Sequence, residues 1–152
     1  YAGFQQYERF RAWISDSWTA PHDRFEYTLD DDVPYILPNG RIIVGDYADL
    51  VASGPQTGIS ITEAGDILHE RNVWTNTTFY GKVTDPEPPY SCAGWTSDGA
   101  NVQASAGLNA LALEKGPEWQ SWKSEHLWTD HQVLKCLDQA HLYCFEDGPV
   151  GP

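Results

Sequence analysis

The chain has 152 residues, 41% of them hydrophobic, with seven Trp, eight Tyr and five Phe. That is one domain's worth of chain with ample aromatic matter for a packed core, which excludes an intrinsically disordered segment. The formal charge of −13, from 9 Lys and Arg against 22 Asp and Glu, repels phosphate backbones and sulfated glycans; it argues against nucleic acid as a partner and predicts no retention on heparin.

No apolar run approaches the ~20 residues of a membrane span, so membrane insertion is not expected. No signal peptide is visible, and the chain starts at Tyr1 without a Met, so it reads as a processed or partial product. Ten Pro and 13 Gly predict many turns, short strands and few long helices.

In chain order, Phe10-Arg11-Ala12-Trp13-Ile14-Ser15 alternates as a half-buried strand, with Phe10, Ala12 and Ile14 on one face. Asp16 and Ser17 are placed to cap a short helical turn that ends near Ala20-Pro21. Asp30-Asp31-Asp32 reads as a solvated loop rather than a calcium site, because adjacent side chains rarely converge on one point. Two apolar runs around Pro38-Asn39-Gly40 predict a hairpin with glycine at a positive φ. Asp46 is an N-cap for a short helix over residues 47–52, closed by Gly54-Pro55. Ile59 and Ile61 alternate ahead of a turn at Glu63-Ala64-Gly65-Asp66, and Asn72-Val73-Trp74-Thr75 is a further short strand. Residues 85–89 form a proline-rich loop leading to Cys92, and residues 104–113 are small, apolar and partly helical by propensity.

The last folded stretch, residues 135–147, holds Cys136 and Cys144 around an aromatic strand that ends in acid. It reads as a disulfide-anchored central strand. With Cys92 the only other cysteine, one of the three lacks a partner. Cysteines in an aromatic, turn-rich chain, together with the Asn76-Thr77-Thr78 sequon and its candidate glycosylation at Asn76, fit an oxidising extracytoplasmic compartment. Residues 148–152 are a Pro/Gly tail, and residues 1–147 form a single domain.

No nucleophile elbow, HExxH or P-loop is present, so the chain is expected to be a non-catalytic protein without a cofactor. The best metal-ligating set is His126 and His131 beside Glu125 and Asp130; five-residue spacing suits zinc on a loop, but a third firm ligand is missing. Trp119 and Trp122 lie three apart behind Pro117 and Glu118, so a helical turn would set both rings on one face as a partner-docking pair; the alternative is that they cover a small core of their own segment, residues 114–124. Trp13, Trp74, Trp95 and Trp128 are core or near-core candidates.

Several of these stretches, in this order, resemble the endostatin-like domains: the C-terminal domain of certain collagens and the related domains of bacterial secreted and surface proteins. The resemblance runs through residues 10–15, Pro34-Tyr35-Ile36-Leu37, Val73-Trp74, Cys92 with Trp95, Gln103-Ala104-Ser105, and Cys136 through Leu142-Tyr143-Cys144-Phe145-Glu146. It implies an α+β, C-type-lectin-like fold, with a twisted, mostly antiparallel sheet, short helices and long loops. It also implies a Cys92–Cys136 disulfide, and for Cys144 a cysteine in a helix that would precede Tyr1. Pairing of Cys136 with Cys144 remains the alternative, and in a chain that begins at Tyr1, Cys144 is expected as a buried free thiol. Collagen-derived members bind heparin through surface arginines, which are few here against a large negative charge, and their zinc ligands lie largely at an N-terminus that would precede Tyr1, so neither property is carried over. The functional expectation is an extracellular or cell-surface binding or adhesion domain for protein or carbohydrate, alone or within a larger assembly. The alternative is a structural subunit of an extracellular fibre or coat.

Overall fold

The computed structural model describes residues 10–25, 33–84, 91–109 and 127–147. The strands pair antiparallel with one another: β1 (Phe10–Ala12) with β7 (Cys144–Glu146), β2 (Tyr35–Ile36) with β3 (Ile42–Val44), and β5 (Gln103–Leu108) between β4 (Asn72–Trp74) and β6 (Gln132–Lys135), and a single isolated bridge is parallel. Three short helices accompany them, α1 (Pro21–Arg24), α2 (Tyr47–Ser53) and α3 (Cys92–Trp95). The result is a small mixed α+β domain. No helix among the described residues is long and apolar enough to cross a membrane.

Local chemistry sets the two most regular pieces. Around Pro38-Asn39-Gly40 the chain reverses because Gly40 takes φ +83°, and Leu37 N–H donates to the Arg41 carbonyl at 2.8 Å. The register passes from Tyr35↔Val44 to Ile36↔Ile42, which leaves Ile43 as an extra residue on β3. That bulge turns both Ile43 and Val44 into the core and leaves Ile36 and Ile42 paired outside, 58% and 56% exposed. Asp46 caps α2 by accepting the Asp49 N–H at 2.6 Å, Tyr47 and Leu50 are buried one turn apart, and Gly54 at φ 70° closes the helix.

Trp13 is the hub of the core. Its ring meets Trp128 at 4.9 Å, Phe145 at 5.9 Å, Tyr47 at 6.0 Å and Phe25 at 6.1 Å between centroids. Four other segments thus converge on one indole, and truncating a buried Trp of this kind typically costs about 3–5 kcal/mol. The face expected of β1 is therefore inverted. Trp13 and Ser15 point inward, while Phe10 lies on the outside opposite Glu146. The larger indole outweighs the smaller Ala12 and Ile14, and a slip of one residue flips every side chain. Arg11 remains compatible with this phase because its guanidinium pairs with the buried Asp147 carboxylate at 3.8 Å.

The terminal stretch is central in its hydrogen bonding. His141 bridges in parallel to Val73, with Trp74 N–H donating to the His141 carbonyl at 2.9 Å, and Tyr143 then accepts from Trp13 N–H at 2.9 Å. It joins the β1–β7 pair to the three-stranded sheet. It is anchored through Cys136, bonded to Cys92, while Cys144 within the strand is the unpaired one of the three cysteines.

Two further expectations are corrected. Asp16 does not open a helix that ends at Pro21; α1 instead begins there, with Pro21 as its first residue, where a missing N–H costs nothing. Residues 104–108 belong to a strand rather than a helix. Ala104, Ser105, Ala106 and Gly107 are all buried, and only small residues let β4, β6 and Trp128 close around this strand, so packing overrides the helical propensity of alanine.

Candidate binding surface

Asp16 organises the first loop of the surface. Its Oδ1 accepts the backbone N–H groups of Trp18 and Thr19, both at 2.8 Å, and its Oδ2 accepts the Thr19 hydroxyl at 2.8 Å and Arg24 Nη2 at 3.3 Å. Arg24 also donates to the Thr19 carbonyl at 3.1 Å. Burial alone would push the Asp16 carboxyl up, but these donors and the guanidinium outweigh it and hold the group below its ordinary value, ionised as an acceptor of four donors must be. The loop is thus rigid at its base, and at its tip Trp18 is 89% exposed.

Behind it lies a buried polar knot. Thr129 Oγ1 accepts Trp13 Nε1–H at 2.9 Å and donates to the Thr77 carbonyl at 2.9 Å, while Thr75 Oγ1 donates to the Thr129 carbonyl. The hydroxyls of Ser15 and Thr77 share a hydrogen bond at 2.8 Å. Asn76 is fully buried at φ 45°, its Nδ2 donating to the Ser15 carbonyl at 3.4 Å. The candidate glycosylation residue is thus an interior side chain in the folded domain, its amide nitrogen turned to the Ser15 carbonyl.

The second loop is a left-handed turn. Ser91, Cys92, Ala93, Gly94 and Trp95 all have positive φ, between 48° and 68°. Trp95 N–H donates to the Ser91 carbonyl at 2.7 Å and Thr96 N–H to the Cys92 carbonyl at 3.1 Å, which closes α3 in the mirror hand of an ordinary helix. Such a conformation costs about 1–2 kcal/mol for each non-glycine residue, so external ties must hold it. Four do so. Cys92 is bonded to Cys136 across 44 residues, the pairing implied by the resemblance. The Ser17 and Ser91 hydroxyls meet at 2.9 Å, Trp95 Nε1–H donates to the Ser15 carbonyl at 2.9 Å, and the Trp95 ring sits edge-on to Trp74 at 5.7 Å. Trp74 and Trp95 are both half-buried, consistent with the near-core reading, while Trp13 and Trp128 are core.

Residues 15–18 and 91–95 thereby form one clamped loop pair that presents Trp18, Trp95 and the adjoining Trp74. The sequence reading passed over Trp18. Its signal is an Asp-x-x-Thr capping pattern with an indole between its two ends. The left-handed turn leaves almost no sequence signature beyond Gly94.

The other candidate residues fall elsewhere. Trp119, Trp122 and His126 lie outside the described residues. His131 is exposed, and Asp130, its proposed neighbour as a ligand, accepts the Ser105 hydroxyl at 2.7 Å. Among the described residues no group of three or more His, Cys, Asp or Glu side chains converges on one point. Cys144 is exposed on β7 opposite Ala12, not buried as expected of a free thiol in a chain beginning at Tyr1. Partial burial of its sulfur and the nearby Glu63 carboxylate push the thiol up, so it stays protonated at neutral pH.

The fold and site together define the class: a small disulfide-bonded α+β domain with an aromatic loop surface. No protein-family model and no curated protein matches the sequence.

Proposed function

We propose that the chain is an endostatin-like, C-type-lectin-like domain that acts outside the cytoplasm as a non-catalytic binding or adhesion module for protein or glycan. The observation that carries this reading is Trp18, an indole 89% exposed on a loop whose base is fixed by the Asp16 and Arg24 hydrogen bonds. A rigid aromatic with only two side-chain torsions loses little entropy on contact, which suits a binding hot spot or a platform for sugar stacking. The Cys92–Cys136 bond supports an oxidising compartment.

Screening the protein against arrays of glycans and matrix proteins should identify a partner, and Trp18→Ala should weaken that binding by about tenfold or more, the range of hot-spot truncation. Because the ring is exposed, the melting temperature should move by no more than about 2 °C. Unchanged binding by the variant would sink the role of Trp18.

A second reading, a subunit of an extracellular fibre or coat, draws on the exposed Ile36–Ile42 cross-strand pair. Sedimentation of the purified domain separates the two. A binding module stays monomeric as its concentration rises, whereas a coat subunit assembles and loses that ability in Ile42→Lys.

A further inference from the structure

We propose that the Cys92–Cys136 disulfide is a redox latch on the left-handed turn, so that its reduction releases Trp95 from Trp74 while the rest of the domain stays folded. Five successive residues, four of them non-glycine, are held at positive φ in residues 91–95. L-residues do not hold this conformation unaided; they relax toward right-handed or extended backbone when ties are removed. Of the four ties, three are non-covalent: the Ser17–Ser91 hydroxyl contact, the Trp95–Ser15 hydrogen bond and the Trp95–Trp74 ring contact. The covalent one is the disulfide, and it enters the turn at its second residue.

The latch touches little else. Cys92 lies on the turn and Cys136 directly after β6, and neither belongs to the cluster around Trp13, which is drawn from β2, β3, α2, β4 and β7 together with Phe25, Trp128 and Tyr143. The core amides are likewise paired independently of the bond, Trp13 with Tyr143 and Trp74 with His141. Two-electron reduction by a dithiol breaks the sulfur–sulfur bond and places one hydrogen on each of Cys92 and Cys136. The reductant leaves as its own disulfide. The freed Cys92 then no longer ties the turn to β6, and Trp95 loses the fixed edge-on position beside Trp74. That this would switch partner binding rests on the function proposed above; the latch itself does not.

Hydrogen exchange on the full chain, before and after dithiothreitol in native buffer, tests it. The amides of Trp95, Thr96 and Ser97, which donate to the Ser91 and Cys92 carbonyls, should lose protection by about tenfold or more, while those of Trp13 and Trp74 keep theirs. Ala93→Gly, which removes one left-handed penalty, should return part of that protection in the reduced protein. Retained protection at residues 95–97 after reduction would overturn the latch. So would simultaneous loss at Trp13 and Trp74, since the bond would then staple the whole domain. Because the readout needs no partner, failure of the binding reading leaves this result intact.

Discussion

Gly107→Ala is expected to lower the melting temperature by roughly 6–20 °C. A Cβ at this position would lie 1.8 Å from the Trp128 carbonyl oxygen, 2.4 Å from its carbonyl carbon and 2.8 Å from Thr129 Cα. All three are backbone atoms, so no side chain can swing aside. Two chains pass here at a distance only glycine permits, and the reason is space rather than φ. The Trp128–Thr129 segment would have to move. It carries both the indole against Trp13 and the hydroxyl that ties the polar knot. Overpacking against mobile side chains costs about 1–3 kcal/mol, and against backbone the upper end or beyond, roughly 3–5 kcal/mol. At about 2–4 °C per kcal/mol for a domain of this size, the shift is easily read by calorimetry or circular dichroism. A loss of less than about 3 °C would mean that β5 and Trp128 are not packed as described.

Thr129→Val should cost nearly as much through a different cause. The two side chains have the same shape, but the hydroxyl gives one partner to Trp13 Nε1–H and another to the Thr77 carbonyl, both in the interior. A buried polar group stripped of its partner costs about 1–3 kcal/mol, so the pair amounts to roughly 2–6 kcal/mol. Thr129→Ser keeps the oxygen and should lose far less, which separates the hydrogen bonds from the lost methyl contact. Urea midpoints of the three proteins decide the matter. Equal stability of the valine and serine variants would remove the knot from the list of things that hold the domain together.

Much of the local structure is legible in the sequence because it is produced locally. Asn39-Gly40 makes its turn with its own backbone, and Asp46 caps α2 through a bond to Asp49, three residues away. Short apolar runs bounded by Gly and Pro were readable as strands for the same reason. Where the reading failed, a distant residue decided the outcome. The strand phase of residues 10–15 turned on which side chain the core could fill, and Trp13 is met there by Tyr47, Trp128 and Phe145 from far along the chain. The stretch 104–108 has helical propensity, yet it is strand because β4 and β6 flank it. Distant contacts with Ser15 and Ser105 likewise make Asn76, within its sequon, an interior residue.

The sequence by itself determined the acidic balance, the turn positions, the capped helix and the presence of short strands, since each depends on composition or on residues a few places apart. Only the tertiary structure decided which face of β1 is inside, that Trp18 stands free while Trp95 leans on Trp74, and that residues 91–95 wind left-handed. The physical reason is the same in all three. The left-handed turn is disfavoured residue by residue and persists through ties to Ser15, Ser17, Trp74 and Cys136, and an exposed indole differs from a buried one only in what the rest of the chain brings beside it.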